Sequence, residues 1–318
     1  MRPSTQRMYS SYISADLVPA IGHLRLSALT PARVDALIRD LRRRGRGATT
    51  VTRIRAVLRS ALSDAKRRRL ITFNAAVDVE LPSVDRSPVH PWEPDEIGAF
   101  LDHAAGHRIG ALFEVLAFTG LRRGEACALR WSDIDLTTGI ITVRSNLVQV
   151  NGAVHEGKPK TRRGERRVDI GQRTIGAVVL HRLTQDADRS TLGEGWAGTT
   201  DRVFTAPDGR DLSPDYVSAL FQRLIAQVRF PADEHLPDDQ RRRLRRIRLH
   251  DLRHGAASMA LAAGFDIATV SRKLGHSTIT VTADTYSHLI GGVGRRMADA
   301  AESLVPVRGV RGNIGATS

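Results

Sequence analysis

His250-Asp251-Leu252-Arg253-His254 follows a segment, 241–248, in which six of eight residues are arginine. Read as a helix, this stretch places His250 and Arg253 on one face at i, i+3. Its two histidines, at i and i+4, have the spacing of a zinc pair. Charge decides against that reading, because Arg253 would project beside the metal and a guanidinium repels a dication. Asp251 also stands where a metalloprotease helix carries its glutamate base. The stretch is therefore a cationic face bearing two titratable rings, and it implies no metal.

Two other stretches carry the same kind of chemistry. Thr119-Gly120-Leu121-Arg122-Arg123-Gly124-Glu125 closes a segment, 108–118, that is apolar nearly all round and so reads as a buried helix. Gly120 permits a sharp turn there that leaves Arg122 projecting from a rigid element. Glu125, three residues on, is placed to orient the local backbone or to pair with a neighbouring arginine. Leu274-Gly275-His276 is followed ten residues later by Tyr286, within Thr282-Ala283-Asp284-Thr285-Tyr286-Ser287-His288. Taken singly, each stretch has an ordinary reading: a helix end with surface arginines, a basic helix, a core aromatic. Of the four tyrosines (9, 12, 216 and 286), however, only Tyr286 follows a glycine-histidine pair.

Lysine occurs only at 66, 158, 160 and 273, against 44 arginines. Each lysine is thus informative, since an ammonium can give up a proton and a guanidinium in practice cannot. Gly152-Ala153-Val154-His155-Glu156-Gly157-Lys158 imitates a phosphate-binding loop. Pro159 stands where serine or threonine must hold magnesium, and the surroundings read as a hairpin, so no nucleotide site is assigned.

Composition bounds the partners. The 318 residues carry a net charge of +14, with 41% hydrophobic and 26% charged residues, which suits a two-domain globular chain with a polyanionic partner. Residues 1–90 hold 17 Lys and Arg against 7 Asp and Glu, so most of that charge sits in one segment. Cys127 is the single cysteine, which rules out an intrachain disulfide and fits a reducing compartment. There is no signal-like h-region and no uninterrupted apolar run of spanning length. A cytoplasmic protein without membrane contact is expected.

Along the chain, Thr30 and Pro31 open a helix over 31–44 whose stripe is Val34, Leu37, Ile38 and Leu41. A second helix over 49–69 turns Val51, Ile54, Leu58, Ala61, Leu62 and Ala65 inward and leaves Arg53, Arg55, Arg59, Lys66, Arg67 and Arg68 outside. Residues 4–18 form another helix. Pro82, Pro88, Pro91 and Pro94 read as an extended linker. Helical patterning resumes at 93–103, short strands are expected at 140–143 and 168–170, and helices dominate again to about 300. The fold class is mainly α with a small antiparallel β-sheet.

Together these residues resemble the tyrosine recombinase (phage integrase) family. That family's pattern is an arginine in T-G-x-R-x-x-E, a lysine on a β-hairpin, H-x-x-R, G-H, and a tyrosine about ten residues later. Arg122, Lys160 in Pro159-Lys160-Thr161-Arg162-Arg163, His250 with Arg253, His276 and Tyr286 match it in order. The likeness covers 90–290, and 1–85 resemble the family's helical core-binding domain, including Val18-Pro19-Ala20-Ile21-Gly22. The implied organisation is a basic core-binding DNA-binding domain (1–85), a proline-rich linker (86–95), a catalytic domain (96–292) and a tail (293–318). Many family members carry a further N-terminal arm-site domain. The chain starts almost directly at the core-binding segment, which leaves a simpler recombinase or a misplaced start codon as alternatives.

The resemblance implies metal- and ATP-independent cleavage and rejoining of duplex DNA, in the integration or excision of a mobile element, with no cofactor. Cleaving a phosphodiester without a metal needs a nucleophile, fixed positive charge on the phosphate oxygens and an acid for the leaving 5′-oxygen. Arg122 and Arg253 supply forked cationic donors, with His276 as a third donor. His250 is expected to accept the nucleophile's proton or orient it. Lys160 is the expected general acid, with Lys158 as rival. Tyr286 is the expected nucleophile, leaving a 3′-phosphotyrosyl bond. The family further implies a homotetramer on DNA attachment sites and a directionality or DNA-bending accessory protein. A type IB topoisomerase shares the chemistry, and a catalytically dead DNA-binding regulator is the rival from another class.

Overall fold

The computed structural model describes residues 3–83, 90–157, 165–230, 233, 235–237, 240–276 and 278–286. They fall into two compact units, Met1–Pro88 with Val148–His155, and Val89–Leu147 with Glu156–Ser318.

The first unit is helical. Helix α1 (Pro3–Tyr12) runs through a π turn at Ile13–Leu17 into α2 (Val18–Ile21), and α3 (Pro31–Arg43) and α4 (Ala48–Arg67) follow. Thr30 caps α3, accepting from the Arg33 amide at 3.4 Å, and Pro31 occupies the first helical position. The stripe Val34, Leu37, Ile38 and Leu41 is buried as its 3.6-residue spacing requires. Helix α4 buries Val51, Ile54, Val57, Leu58, Leu62 and Ala65, while Ala61 is exposed. Val57, one turn before Ala61, is buried instead. Asp16, fully buried in the π turn, is held by a two-pronged Arg46 fork at 2.9 and 3.1 Å and by Arg44 at 3.3 Å.

The second unit begins earlier than the expected linker allows. Trp92 is only 3% exposed; its indole N–H donates to the Arg245 carbonyl at 2.8 Å, and its ring lies against Phe100 and Phe221. Pro94 is the first residue of α5 (Pro94–Ala105), capped by the Glu93–Glu96 box. Residues 90–95 are thus part of this unit rather than spacer, because an indole with an apolar pocket and a hydrogen-bond partner gains more from burial than from solvent.

Helix α6 (Gly110–Thr119) is buried nearly all round and ends at Gly120, φ +66°. Helix α7 (Arg123–Ala128) follows at once. Strands β1 (Ile134–Asp135), β2 (Ile140–Val143) and β5 (Arg166–Asp169) form an antiparallel sheet in the order β1-β2-β5, with Ile141 opposite Val168 and Val143 opposite Arg166. Strands β3 (Asn146–Val150) and β4 (Ala153–Gly157) form a hairpin whose Asn151-Gly152 turn has both φ angles positive, the geometry Asn-Gly favours. Helices α8 (Gln172–Leu192), α9 (Pro214–Gln227), α10 (Asp251–Ala262), α11 (Ile267–Leu274) and α12 (Ile279–Tyr286) complete the described chain. The architecture is α+β, mainly helical, as expected. The tail assigned to 293–318 lies outside the described residues.

Candidate active site

Gly120 sets the geometry. A Cβ there would meet Leu274 Cδ2 at 2.6 Å, Ala256 Cβ at 3.4 Å and Arg253 Cγ at 3.7 Å. The bare backbone lets the turn before α7 press against α10 and α11, bringing Arg122 to Arg253 and His276. Gly124 performs a similar service, since a Cβ there would strike the Leu147 carbonyl.

Arg122 caps α7 and donates to Glu125 Oε1 at 2.8 Å and to the Gly275 carbonyl at 3.3 Å. Arg253, 3% exposed, donates to the Gly120 carbonyl at 2.5 Å and to the Leu274 carbonyl at 2.6 Å. Glu125 also accepts the Arg122 amide at 2.9 Å and both terminal nitrogens of Arg166 at 3.3 and 2.9 Å. Arg166 in turn donates to the Lys273 carbonyl at 2.8 Å. Burial opposes ionisation of Glu125, but the hydrogen bonds and charges of Arg166 and Arg122 hold its carboxyl below the ordinary range. Burial and the neighbouring Arg122 lower the Arg253 guanidinium too, although a guanidinium stays charged at neutral pH. Two guanidiniums, those of Arg122 and Arg166, thus share one carboxylate, and Arg253 lies within its electrostatic reach, leaving net positive charge preorganised in a partly dry site.

Histidines complete the cluster. His276 Nδ1 lies 2.7 Å from the Thr282 hydroxyl, and burial with Arg253 and Arg122 pushes its ring to about 4. His250, although its residue is exposed, is likewise pushed down to about 4 by desolvation of its ring and by the neighbouring His254 and Arg253. Both rings are therefore neutral at pH 7. In the tautomer whose Nδ1 accepts from the Thr282 hydroxyl, His276 carries its proton on Nε2.

Tyr286 ends α12, 3% exposed among Ala257, Val270 and Leu274. Its hydroxyl lies 2.6 Å from His254 Nδ1. Burial raises the phenol to about 12 despite the counteracting charge of Arg253.

A family model described as the phage integrase family matches residues 92–290. The chain belongs to that family. It is a tyrosine-type site-specific DNA recombinase. Among similar proteins, a tyrosine recombinase XerC-like protein of Caldanaerobacter subterraneus subsp. tengcongensis is 23% identical, covering 88% of this chain and 72% of its own. The integrase of Mycobacterium phage L5 is 27% identical over 86% and 68% of the two chains. In fold, this recombinase is similar to the Tn1549 transposon integrase in complex with transposon right end DNA, with a TM-score of 0.77 at 19% identity, covering 96% and 95% of the two chains. A lambda integrase dimer bound to a COC′ core site has a TM-score of 0.61 at 19% identity, covering 90% and 89%.

The structure brings five of the expected site residues together: Arg122, His250, Arg253, His276 and Tyr286. Lys160 and its rival Lys158 lie outside the described residues. The hydrogen bond to Tyr286 expected of His250 is made by His254 instead; the two imidazoles lie edge-on, centroids 5.4 Å apart. Geometry explains the exchange: one further helical turn carries His254 to α12, where His250 does not reach. Arg166 escaped notice in the sequence because its strand neighbours are equally basic; its signal was the pairing capacity already visible in Glu125.

The candidate DNA-contact residues separate into two groups. Arg53, Arg59 and Lys66 are exposed, with no ion pair among the described residues. Arg55 is instead half-buried and donates to the Val77 carbonyl, while Arg67 and Arg68 share Asp64.

Proposed function

We propose that this recombinase holds the scissile phosphate with Arg122, Arg253 and His276, and that Tyr286 attacks it, forming a 3′-phosphotyrosyl bond and freeing a 5′-hydroxyl. Lys160 protonates that leaving oxygen. The bond energy stored in the phosphotyrosine drives rejoining without ATP. The observation that carries this reading is the convergence of Arg122, from the turn before α7, and Arg253, from α10, on consecutive carbonyls of the Leu274-Gly275 turn, one residue before His276. Two forked cations so placed match phosphate geometry and stabilise the charge that grows in a pentacoordinate transition state.

The exposed cations of α4 and the charge bias of residues 1–90 support duplex DNA as partner, held mainly through phosphates by the core-binding region and the catalytic region. A solved lambda integrase tetramer bound to a Holliday junction, with a TM-score of 0.59, supports a homotetramer on attachment-site DNA. Its relatives include the ICEBs1 integrase of Bacillus subtilis, 25% identical, which supports integration or excision of a mobile element, assisted by a directionality or bending protein. No described helix is long and apolar enough to cross a membrane; action on DNA supports a cytoplasmic location.

The test is covalent trapping. A nicked duplex carrying the core site, mapped by footprinting the DNA that flanks the gene, should give a protein–DNA adduct resistant to denaturant. Mass mapping should place the nucleotide on Tyr286, and Tyr286→Phe should bind DNA without forming the adduct. An adduct on Tyr216, which sits exposed on α9 beside Arg223, would overturn the assignment.

A further inference from the structure

We infer that His254 accepts the proton of the Tyr286 hydroxyl as the tyrosine attacks phosphorus, and returns it when the DNA is rejoined. The inference rests on Tyr286 being the nucleophile.

The chemistry requires an acceptor. A phenol held near 12 is protonated at neutral pH, and its oxygen is a feeble nucleophile until the proton leaves. The acceptor must lie within hydrogen-bond reach of that proton. His254 Nδ1 does, at 2.6 Å, and its ring lies 5.8 Å from the tyrosine ring, centroid to centroid. His250, the motif histidine, makes no hydrogen bond to Tyr286 among the described residues.

The surroundings suit the task. Burial lowers His254 below its ordinary value of 6.5; Asp251 raises it, and Arg248 and Arg253 lower it again. A lowered ring is mostly neutral at pH 7, and in the tautomer whose Nδ1 accepts from the Tyr286 hydroxyl its own proton sits on Nε2. The charged and titratable groups facing it are Arg248, His250, Asp251 and Arg253 from its own helix and the turn before it, Tyr286 from α12, and His276 from the turn ahead of α12. Asp251, itself bound by Arg248 at 2.9 Å, supplies the negative charge that favours the imidazolium once it forms.

The step balances. The Tyr286 O–H bond breaks and the proton passes to Nδ1, while the oxygen's electron pair forms the new O–P bond. The P–O5′ bond breaks, and the 5′-oxygen takes a proton from the general acid. Rejoining runs the same transfers backwards, so His254 protonates the departing phenolate.

The test measures single-turnover cleavage of the nicked core-site duplex by wild type, His254→Ala and His254→Gln across pH, with DNA affinity as the check on folding. Glutamine can accept the hydrogen bond but cannot take the proton. Both variants should bind DNA as wild type does and cleave about 10²–10⁴-fold more slowly at neutral pH. Wild-type cleavage should level off above the titration of His254. The variants' rates should keep climbing roughly tenfold per pH unit, as hydroxide replaces the imidazole. Free imidazole should partly restore His254→Ala. Wild-type cleavage by either variant, or a variant profile as flat as wild type, would overturn the role of His254 while leaving the Tyr286 adduct intact. A wild-type adduct on another residue would overturn the nucleophile itself.

Discussion

Arg122 and Arg253 are braced by consecutive residues: one guanidinium donates to the Gly275 carbonyl at 3.3 Å and the other to the Leu274 carbonyl at 2.6 Å. The turn that presents His276 is therefore also the ruler that spaces the two arginines. Anything that shifts this turn against α6 moves the whole proposed phosphate site.

Gly120→Ala tests that dependence. The residue has φ +66° and its added methyl would meet Leu274 Cδ2 at 2.6 Å. The left-handed backbone alone costs about 1–2 kcal/mol, and the displaced leucine adds to it. The melting temperature should fall, and cleavage should fall further than this loss of folded protein explains. Unchanged cleavage would show that the site tolerates movement of the turn.

Arg166→Ala removes one partner of a buried pair, the two side chains being 6% and 4% exposed. Breaking such a pair costs about 3–5 kcal/mol, and the lower end applies because Arg122 still neutralises Glu125. Glu125 is held below its ordinary pKa, so it stabilises the fold above the unfolded value near 4.3, and that contribution is lost as pH falls through the lower folded value. The variant should thus unfold at a higher pH in an acid titration followed by circular dichroism. An unchanged acid midpoint would remove Arg166 from the account.

Lys160→Ala should slow cleavage with little loss of DNA affinity, because one cation among many adds little to binding. A substrate with sulfur in place of the bridging 5′-oxygen should restore the rate, since a thiolate leaves without a proton. Rescue of Lys158→Ala instead would identify that lysine as the acid.

Salt dependence distinguishes the cations of α4. Removing Arg53, Arg59 and Lys66 together should flatten the plot of log affinity against log salt by roughly three units. Arg55→Ala should leave the slope nearly unchanged and lower stability, because its guanidinium serves the Val77 carbonyl. Equal slope changes from all four would mean that Arg55 turns outward on DNA.

The sequence by itself determined the residue types and their order. A metal-free phosphoryl transfer needs forked cations, imidazoles and a hydroxyl nucleophile, and Arg122, His250, Arg253, His276 and Tyr286 could be picked out among 44 arginines and 11 histidines because they match, in order, the motifs of the family the chain resembles. It also determined the stripes of α3 and most of α4, where burial repeats with the helical period. The tertiary structure decided the pairings. Whether His250 or His254 meets Tyr286 depends on how α12 lies over α10, which the packing of Val270, Leu274 and Ala257 around the tyrosine ring sets. That Arg166 joins Arg122 on Glu125, that Arg55 turns inward, and that Trp92 closes a core all follow from distances between segments remote in the chain. Local spacing specifies which face of its own helix a side chain occupies; only the packing of one element on another brings a partner within 3 Å.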